Sequence, residues 1–458
     1  MIEHPAVVRV CRVPWIVLAL AACRGAADTT PGAIHFPEGW EYASNATPVV
    51  ATDGMVVTTD ELASQVGVDV LHAGGNAVDA AVAVQFALAV VNPEAGNIGG
   101  GGFLLLREAG GATAALDFRE QAPGAATRDM FLDEAGNLTD RSVVGHLAAG
   151  VPGTVRGMWE AHQRYGTLPW ADLLAPAVRL AGGFPVRRRF LHSLGPDMVE
   201  SLSAFPASAA QFLPREGQPP ALGDTLRQAD LAATLRRIQI ACSDGFYTGE
   251  TADLLVAEME RGGGIITHQD LSTYRVAWRE AITFTYRGNS VISMPPSSSG
   301  GVTMAEMANI LQRYDLAALR WHGPEMVHLY AEAWKRAYAD RNHYLGDPDF
   351  VDRPLERMAS PEYATLRASD ISTERATPST DVGPGLDGPT EGENTTHYSI
   401  VDAMGNAVAV TTTINSWYGS KVTVTGAGFV LNNEMDDFAA KPGTPNQFGL
   451  VQGEKNAV

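Results

Sequence analysis

The stretch Glu393-Asn394-Thr395-Thr396-His397-Tyr398-Ser399-Ile400-Val401-Asp402 marks an abrupt change in the character of the chain. Residues 371–394 include no aromatic side chain and many prolines and glycines, a composition that cannot pack a core and predicts a mobile linker. From Thr395 onward, β-branched and aromatic residues predict a strand. A long loop inside a folded chain is typical of a functional or processing segment. The threonine at this boundary is therefore the first candidate for chemistry.

Thr395 would become a nucleophile if the peptide bond between Asn394 and Thr395 were cleaved. Its new α-amino group would have a pKa of about 7.7–8.0, so part of it is neutral near pH 7 and can deprotonate the neighbouring hydroxyl. Two predicted strands, 395–401 and 407–415, are joined by a turn-type segment centred on Met404. This register places Thr395 opposite Thr413, with Asn415 on the same face one diagonal step away. On these residues alone, a threonine-rich surface hairpin remains an alternative.

Three motifs carry a resemblance to a known family: Asn394-Thr-Thr-His-Tyr-Ser399, Gly405-Asn-Ala-Val-Ala-Val410 and Leu431-Asn-Asn-Glu-Met-Asp-Asp-Phe438. Together they resemble γ-glutamyltranspeptidase, also called glutathione hydrolase, which belongs to the N-terminal-nucleophile hydrolases. The resemblance implies an α/β (α+β) fold of four layers, αββα, in which two central sheets are flanked by helices. Without the resemblance, the sequence supports only a mixed α/β globule.

The resemblance also implies a proenzyme that cleaves itself at Asn394-Thr395. The products are a large subunit, residues 24–394, which ends in the linker 371–394, and a small catalytic subunit, residues 395–458. The two subunits stay associated. Thr395 then attacks the γ-carbonyl of glutathione or a related γ-glutamyl amide, and water or the amine of an amino acid or peptide accepts the acyl group. No metal or organic cofactor is needed.

Matching the family's motifs residue by residue assigns the rest of the site. Arg119, at the exit of a predicted hairpin, holds the substrate's α-carboxylate, which suits the planar two-pronged guanidinium. Thr413 orients the nucleophile. The substrate's α-ammonium is surrounded by Asn415, Glu434 and Asp437. The alternatives are a related acylase, such as a cephalosporin acylase or a poly-γ-glutamate-processing enzyme, and an inactive truncated homologue.

Residues 442–450 resemble the lid loop that covers the site in this family. Many bacterial members have tyrosine where this chain has Phe448, and that tyrosine hydrogen-bonds the asparagine matched to Asn415. Phenylalanine cannot form this bond, so we expect the lid to be held less tightly.

The last residues of the chain, after the lid, raise a further expectation. The resemblance implies a continuation that carries a Ser-Ser pair for the α-carboxylate and a Gly-Gly pair whose N–H groups form the oxyanion hole. Neither pair occurs after Thr395. We therefore expect the C-terminal part of the fold to be missing and residues 1–458 to turn over little substrate, because one lost oxyanion donor costs about 10²–10³ in rate.

The net charge and the cysteine content limit the kinds of partner and ligand that the chain can bind. The formal net charge of −19 argues against nucleic acid and anionic membrane surfaces as partners, and any anionic substrate must be held by a local cation. Cys11, Cys23 and Cys242 offer neither metal-ligand spacing nor a disulfide framework.

The first 23 residues read as an export signal. Arg9 and Arg12 precede an apolar run, residues 13–22, that is too short to span a bilayer as a stable helix. Leu20-Ala-Ala-Cys23 resembles a bacterial lipobox, so Cys23 is a candidate for lipidation. An ordinary signal peptide and a misassigned start are the alternatives. We expect a periplasmic protein or a membrane-anchored lipoprotein of a bacterium.

Two further patterns have structural interpretations. The run Gly96-Asn-Ile-Gly-Gly-Gly-Gly102 lacks the Lys-Ser/Thr of a phosphate-binding loop, so we interpret it as a backbone that approaches another segment closely. In a predicted helix that begins at Pro324, four apolar residues at helical spacing predict a stripe that faces the core: Val327, Ala331, Trp334 and Tyr338.

Overall fold

The computed structural model describes residues 49–320, 322–345, 348–350, 354–383, 395–448 and 456–458. Residues 53–458 form one unit, distinct from residues 1–52. The predicted signal and Cys23, part of the predicted linker, and Asn394 lie outside the described residues. Within the described ranges, no helix is long and apolar enough to cross a membrane.

Six strands pair in antiparallel fashion to form the main sheet, in the order β1-β9-β10-β2-β3-β6. These strands are β1 (Gly54–Val57), β2 (Gly101–Arg107), β3 (Thr113–Asp117), β6 (Ala277–Arg279), β9 (Thr396–Asp402) and β10 (Ala407–Thr413). Two further sheets have two strands each: β4 (Phe184–Pro185) with β5 (Thr225–Leu226), and β7 (Ile282–Tyr286) with β8 (Asn289–Ser293).

All of the α-helices in the described residues lie between β1 and β9 in the chain. They are α1 (Glu61–His72), α2 (Ala77–Val91), α3 (Thr154–Tyr165), α4 (Trp170–Ala181), α5 (Arg188–His192), α6 (Pro196–Ser203), α7 (Pro206–Phe212), α8 (Ala229–Ala241), α9 (Asp244–Tyr247), α10 (Gly249–Gly262), α11 (His268–Thr273), α12 (Gly300–Leu311), α13 (Pro324–Tyr344), α14 (Leu355–Met358) and α15 (Pro361–Ala368).

Helix α2 seals one face of the main sheet. All fifteen of its residues are buried, because its sequence is apolar on every side apart from Asp79 and Gln85. Asn76 begins it with a capping box to Asp79. The hydroxyl of Tyr398 on β9 donates a hydrogen bond of 3.0 Å to the carbonyl of Ala81 on α2. The even-numbered side chains of β9 therefore face the core.

The opposite face of β9 is exposed at His397, Ser399 and Val401. On β2 and β3, this same face of the sheet is covered by Met294, which packs against Phe103 and Ala115. Thr395 is exposed as well. The nucleophile candidate is therefore accessible, whereas Thr396 beside it is buried.

The predicted core stripe on helix α13 is wrong. Val327 and Trp334 are 56% and 49% exposed, and Ala331 is exposed too. The helix instead buries the face that carries Glu332, Arg336 and Asp340 together with apolar residues such as Leu329 and Ala333. These charges can be buried because they are paired, for example Arg336 Nη1 with Glu332 Oε2 at 2.6 Å.

The first part of the predicted linker contacts the same helix. The backbone N–H of Thr377 donates to Glu332 Oε1 at 2.9 Å, and Lys335 Nζ donates to the Thr377 carbonyl at 2.6 Å. Residues 371–383 thus lie along α13, and residues 384–394 are outside the described part.

A second buried ion cluster joins α12, α13 and α15. Arg367 Nε lies 2.7 Å from Asp340 Oδ2 and 3.9 Å from Glu306 Oε1, and both carboxyl groups are fully buried. Burial and the neighbouring Asp340 raise the pKa of Glu306 to about 10. One guanidinium thus faces two acids, of which Glu306 keeps its proton at neutral pH.

We predict that Glu306→Gln raises the free energy of unfolding at pH 7, because wild type must take up a proton at Glu306 on folding, whereas glutamine is neutral in both states. Arg367→Met should cost about 3–5 kcal/mol, because it removes the cation that faces the buried Asp340 carboxyl group. Since the folded state holds the Glu306 proton between pH 4.5 and about 10, wild-type stability falls as pH rises through this window, and the glutamine variant lacks that loss. Urea unfolding at pH 6 and pH 9 measures both effects. A loss of stability in Glu306→Gln at both pH values would mean that Glu306 is ionised in the fold.

Candidate active site

The β9–β10 hairpin sets the position of Thr395. Its pairs run from Ala407 opposite Val401 to Thr412 opposite Thr396, which is the register that the sequence predicts. Thr395 is one residue beyond the last pair, so the register places it opposite Thr413. The connecting turn fixes this alignment: Asp402 Oδ1 accepts hydrogen bonds from the N–H groups of Met404 and Asn406, each at 3.0 Å.

The glycine run positions Thr413 from the other side. A Cβ atom on Gly100 would overlap the Thr413 carbonyl oxygen, and one on Gly99 would overlap the Val430 carbonyl oxygen. Asn97 Nδ2 donates to the Thr413 carbonyl at 2.8 Å, and Asn97 Oδ1 accepts from the N–H of Gly100 at 2.9 Å. This geometry confirms the interpretation of the run as a close backbone approach.

Thr413 and Asn415 are buried beside each other. Thr413 Oγ1 accepts a hydrogen bond of 2.8 Å from the N–H of Asn415, whose backbone has a positive φ of 71°. Asn415 Nδ2 donates to the carbonyl of Asn433 at 2.9 Å. The amide that the sequence assigns to ammonium binding is thus held next to the segment that carries Glu434.

Arg119 lies at the centre of a charged cluster. Its Nη2 donates to Glu434 Oε1 and, at 2.7 Å, to Asp437 Oδ2. The ring centroid of Phe103 is 5.6 Å from the guanidinium carbon. The structure therefore brings together the three charged residues that the sequence assigns to one ligand. Arg119 is paired with both acids, so a bound carboxylate would share the guanidinium with them.

Glu120 is a member of this cluster that the sequence analysis did not identify. Its carboxylate is 1% exposed, lies 3.8 Å from Arg119 Nε, and makes no hydrogen bond within the described residues. Burial raises the pKa of Glu120 to about 8, although Arg119 acts in the opposite direction. Burial likewise raises the pKa of Glu434 well above its ordinary value. The cluster thus holds more carboxyl groups than one guanidinium can neutralise.

Asp117, the last residue of β3, holds the backbone of Arg119 in position. Its Oδ1 accepts from the N–H of Arg119 at 3.1 Å, and its Oδ2 accepts from Arg279 Nε at 2.8 Å and Ser297 Oγ at 3.1 Å. Asp117 therefore connects the backbone of Arg119 to β6 and to the loop that contains Ser297, Ser298 and Ser299. No signal in the sequence alone pairs these distant residues.

Asn432 and Asn433 are further positioning residues, which the sequence analysis quoted in a motif without a role. Asn432 Nδ2 donates to the carbonyls of Gly99 and Gly150 at 2.9 and 2.8 Å, and its Oδ1 accepts from the N–H of Glu434 at 3.0 Å. Asn432 thus joins the acidic segment to the glycine run.

The base of the predicted lid is attached next to this segment. The N–H of Gln447 donates to Asp436 Oδ2 at 3.1 Å, and Ser142 Oγ donates to Asp436 Oδ1 at 2.7 Å. Phe448 is half-buried, and its N–H donates to Asn446 Oδ1 at 3.0 Å. The phenyl ring has no hydrogen-bonding group, so it cannot donate a hydrogen bond to Asn415.

Comparison with known families identifies the chain. The family profile described as gamma-glutamyltranspeptidase matches residues 63–458. The chain belongs to this family.

Individual γ-glutamyltranspeptidase relatives agree with this assignment. A glutathione hydrolase proenzyme of Pseudomonas sp. (strain A14) is 50% identical over 91% of this chain and 72% of its own length. The crystal structure of the Helicobacter pylori γ-glutamyltranspeptidase is 42% identical, with a TM-score of 0.72 over 76% of this chain and 100% of that chain. The family resemblance and the fold expected from it are therefore confirmed.

A cephalosporin acylase shares the fold of the γ-glutamyltranspeptidase family. The structure of the enzyme from Bacillus halodurans is 29% identical, with a TM-score of 0.75 over 91% of this chain and 77% of that chain. The expected alternative activity therefore occurs on the same scaffold, and the side chains of the site must distinguish the two.

We predict that Gly100→Ala disturbs this γ-glutamyltranspeptidase site, because its new Cβ would displace the Thr413 carbonyl. The expected cost is about 1–3 kcal/mol of stability, with slower appearance of any cleaved chains. Gly110→Ala is the matched control, since a Cβ there has no atom within 4 Å, and its effect should stay within about 0.5 kcal/mol. Thermal unfolding and gel electrophoresis measure both. A Gly100→Ala variant that is as stable and as fully cleaved as wild type would contradict the positioning role.

Proposed function

We propose that the chain is the proenzyme of a glutathione hydrolase and γ-glutamyltransferase with Thr395 as its nucleophile. The observation that carries this proposal is the register of β9 and β10, which places an exposed Thr395 opposite the buried Thr413. In the sheet, β10 and β2 lie between β9 and β3, and Arg119 follows β3 in the chain. A nucleophile and an ion cluster thus lie at the same edge of one sheet.

Maturation begins with attack of Thr395 Oγ on the carbonyl carbon of Asn394. The peptide C–N bond breaks, the threonine nitrogen takes up a proton, and an ester joins the two residues. Water hydrolyses the ester, which leaves residues up to 394 as the large subunit and residues from 395 as the small subunit. Thr395 then has a free α-amine beside its hydroxyl, and this amine serves as the general base.

Turnover repeats this chemistry on the substrate. Thr395 Oγ attacks the γ-carbonyl carbon of a γ-glutamyl amide, the amide C–N bond breaks, and the leaving amine takes the proton from the threonine hydroxyl by way of the α-amine. The γ-glutamyl ester on Thr395 is then cleaved by water, which gives glutamate, or by the amine of an amino acid or peptide, which gives a new γ-glutamyl amide. Thr413 orients the hydroxyl.

The charges around Arg119 suit the α-amino acid end of the γ-glutamyl group. Arg119 pairs with the α-carboxylate, while Glu434 and Asp437, with the Asn415 amide, surround the α-ammonium. The excess of acids over guanidinium favours a zwitterion, because the ligand's ammonium supplies the missing positive charge and its carboxylate replaces an acid on Arg119. A glutaryl group lacks the ammonium, so the same cluster disfavours an acylase substrate.

Export is the part of the proposal that rests on the sequence alone. Residues 1–23 serve as a signal, Cys23 is the lipidation candidate, and the enzyme acts in the periplasm or from a lipid anchor. Residues 371–394 act as the processing linker. Labelling with a radioactive or alkyne fatty acid, compared between wild type and Cys23→Ser, tests the anchor.

We predict that Thr395→Ala remains a single chain, because the alanine variant has no hydroxyl to attack Asn394. Thr395→Ser should still cleave, but more slowly. Gel electrophoresis with N-terminal sequencing measures the reaction, and a new terminus at residue 395 is expected only in wild type and the serine variant. Cleavage of the alanine variant at that bond would assign the cut to an external protease.

We predict that Arg119→Lys weakens binding of γ-glutamyl ligands about ten- to a hundred-fold, since lysine keeps the charge but loses the two-pronged contact. Affinity for glutathione, measured by calorimetry, reports the effect, and an unchanged unfolding temperature shows that the fold is intact. The ratio of γ-glutamyl to glutaryl amide affinity measured alongside separates the transferase from an acylase. Affinity for both ligands that is independent of Arg119 would remove this residue from the site.

A further inference from the structure

The strand order gives the substrate a direction across the sheet. Arg119 follows β3, and Thr395 precedes β9. Three strand spacings of about 4.8 Å separate these strands, and the long Arg119 side chain reaches back across part of that span. A γ-glutamyl group held by Arg119 at its α end therefore points its γ-carbonyl towards β9. In that orientation, the group that leaves with the amine nitrogen would extend beyond β9, on the side of β1.

The end of β1 brings a different set of residues to that side. Val57 pairs with Ser399, so the chain after β1 continues alongside the beginning of β9. Thr59 Oγ1 lies 3.0 Å from Thr396 Oγ1, next to the nucleophile. Glu61, two residues further, forms an ion pair of 2.7 Å with Arg187 Nη1. Arg187 is the first residue of the run Arg187-Arg188-Arg189.

A second contact holds the arginine run beside the loop after Asn415. Arg189 Nε lies 3.3 Å from Glu94 Oε1, and the Glu94 carbonyl accepts from the N–H of Tyr418 at 3.1 Å. In the same turn of helix, the ring of His192 lies 6.0 Å from that of Trp417. The run is thus held between the loop that follows β1 and the loop that follows Asn415.

The middle residue of the run is available for a ligand. The side chain of Arg188 is exposed and has no hydrogen bond or ion pair with any residue in the described ranges. The acids that face the run are Asp60, Glu61 and Glu94. Glu61 neutralises Arg187, and burial raises the pKa of Glu94 to about 7, so Glu94 offsets Arg189 only in part. The run is therefore locally cationic in a chain whose net charge is −19.

We propose that Arg188, flanked by Arg187 and Arg189, binds the terminal carboxylate of the group attached to the γ-glutamyl nitrogen. This inference rests on the proposed function, because it needs Thr395 and Arg119 to fix the direction of the substrate. Its ligands are γ-glutamyl peptides and the amino acids or peptides that leave from or attack the acyl-enzyme. All of these carry a carboxylate a few bonds from the reacting nitrogen, and a guanidinium is well shaped to hold it.

The test compares two ligands that differ only at that carboxylate. Glutathione has a terminal glycine carboxylate, and glutathione amide has a neutral amide in its place. Calorimetry on the processed protein measures both affinities in wild type, Arg188→Ala and Arg188→Lys. Arg107→Ala is the matched control, since Arg107 is an exposed arginine at the other end of β2 from Gly101.

Arg188→Ala should weaken glutathione binding about three- to ten-fold, as expected for an exposed charge-assisted contact, and leave the amide unchanged. Arg188→Lys should recover part of the loss, and Arg107→Ala should match wild type for both ligands. The difference between the two ligands should shrink at high salt, because the contact is exposed.

Two outcomes overturn the proposal. If wild type binds glutathione and its amide equally well, or if Arg188→Ala weakens both to the same extent, the terminal carboxylate is not recognised here. If no variant binds either ligand, the proposed function fails instead, and Arg119→Lys measured in parallel identifies that case.

Discussion

The pairing of β9 with β10 is the constraint on which the rest of the site depends. A shift of one residue would turn Thr395 towards the core and expose Tyr398, because side chains alternate along a strand. The structure prevents this shift at both ends of the hairpin. Asp402 fixes the turn. Gly100 lets the Thr413 carbonyl oxygen approach its Cα more closely than any residue with a Cβ atom would allow. Thr395, the proposed nucleophile, is thus placed by the turn at Asp402 and by the close approach of Gly100 to Thr413.

The ion cluster around Arg119 depends on the same backbone contacts. Gly101 and Gly150 lie against Glu120, and a Cβ on Gly101 would overlap its carboxylate. Asn432 joins Gly150 to the N–H of Glu434. Burying several acids beside one guanidinium is unfavourable without a further cation. The glycines and asparagines hold this arrangement in place, and under the proposed function the ammonium group of the ligand offsets its cost.

Local patterns in the sequence predicted the elements that local physics determines. The glycine-containing turn and the alternation after Thr395 gave the register of β9 and β10, and the apolar run gave α2. Helix α13 shows the limit, because Val327 and Trp334 suggest a buried face while the buried face carries Glu332 and Arg336. Those charges are satisfied by each other and by Thr377, Asp370 and Lys335. The role of Glu120 likewise could not be predicted from the sequence, because it depends on contacts with Gly101 and Gly150 that only the fold creates.

Two kinds of cation are proposed to bind the substrate of this acidic chain, and they differ in how strongly water screens them. Arg119 is 26% exposed and surrounded by buried acids, so its field stays strong at physiological salt. The run from Arg187 to Arg189 lies largely in solvent, where charges more than about 8–10 Å apart are screened. The buried cluster is thus suited to fix the γ-glutamyl end, which every substrate shares. The exposed run is suited to the variable end, where weaker contacts allow many leaving groups and acceptors to exchange.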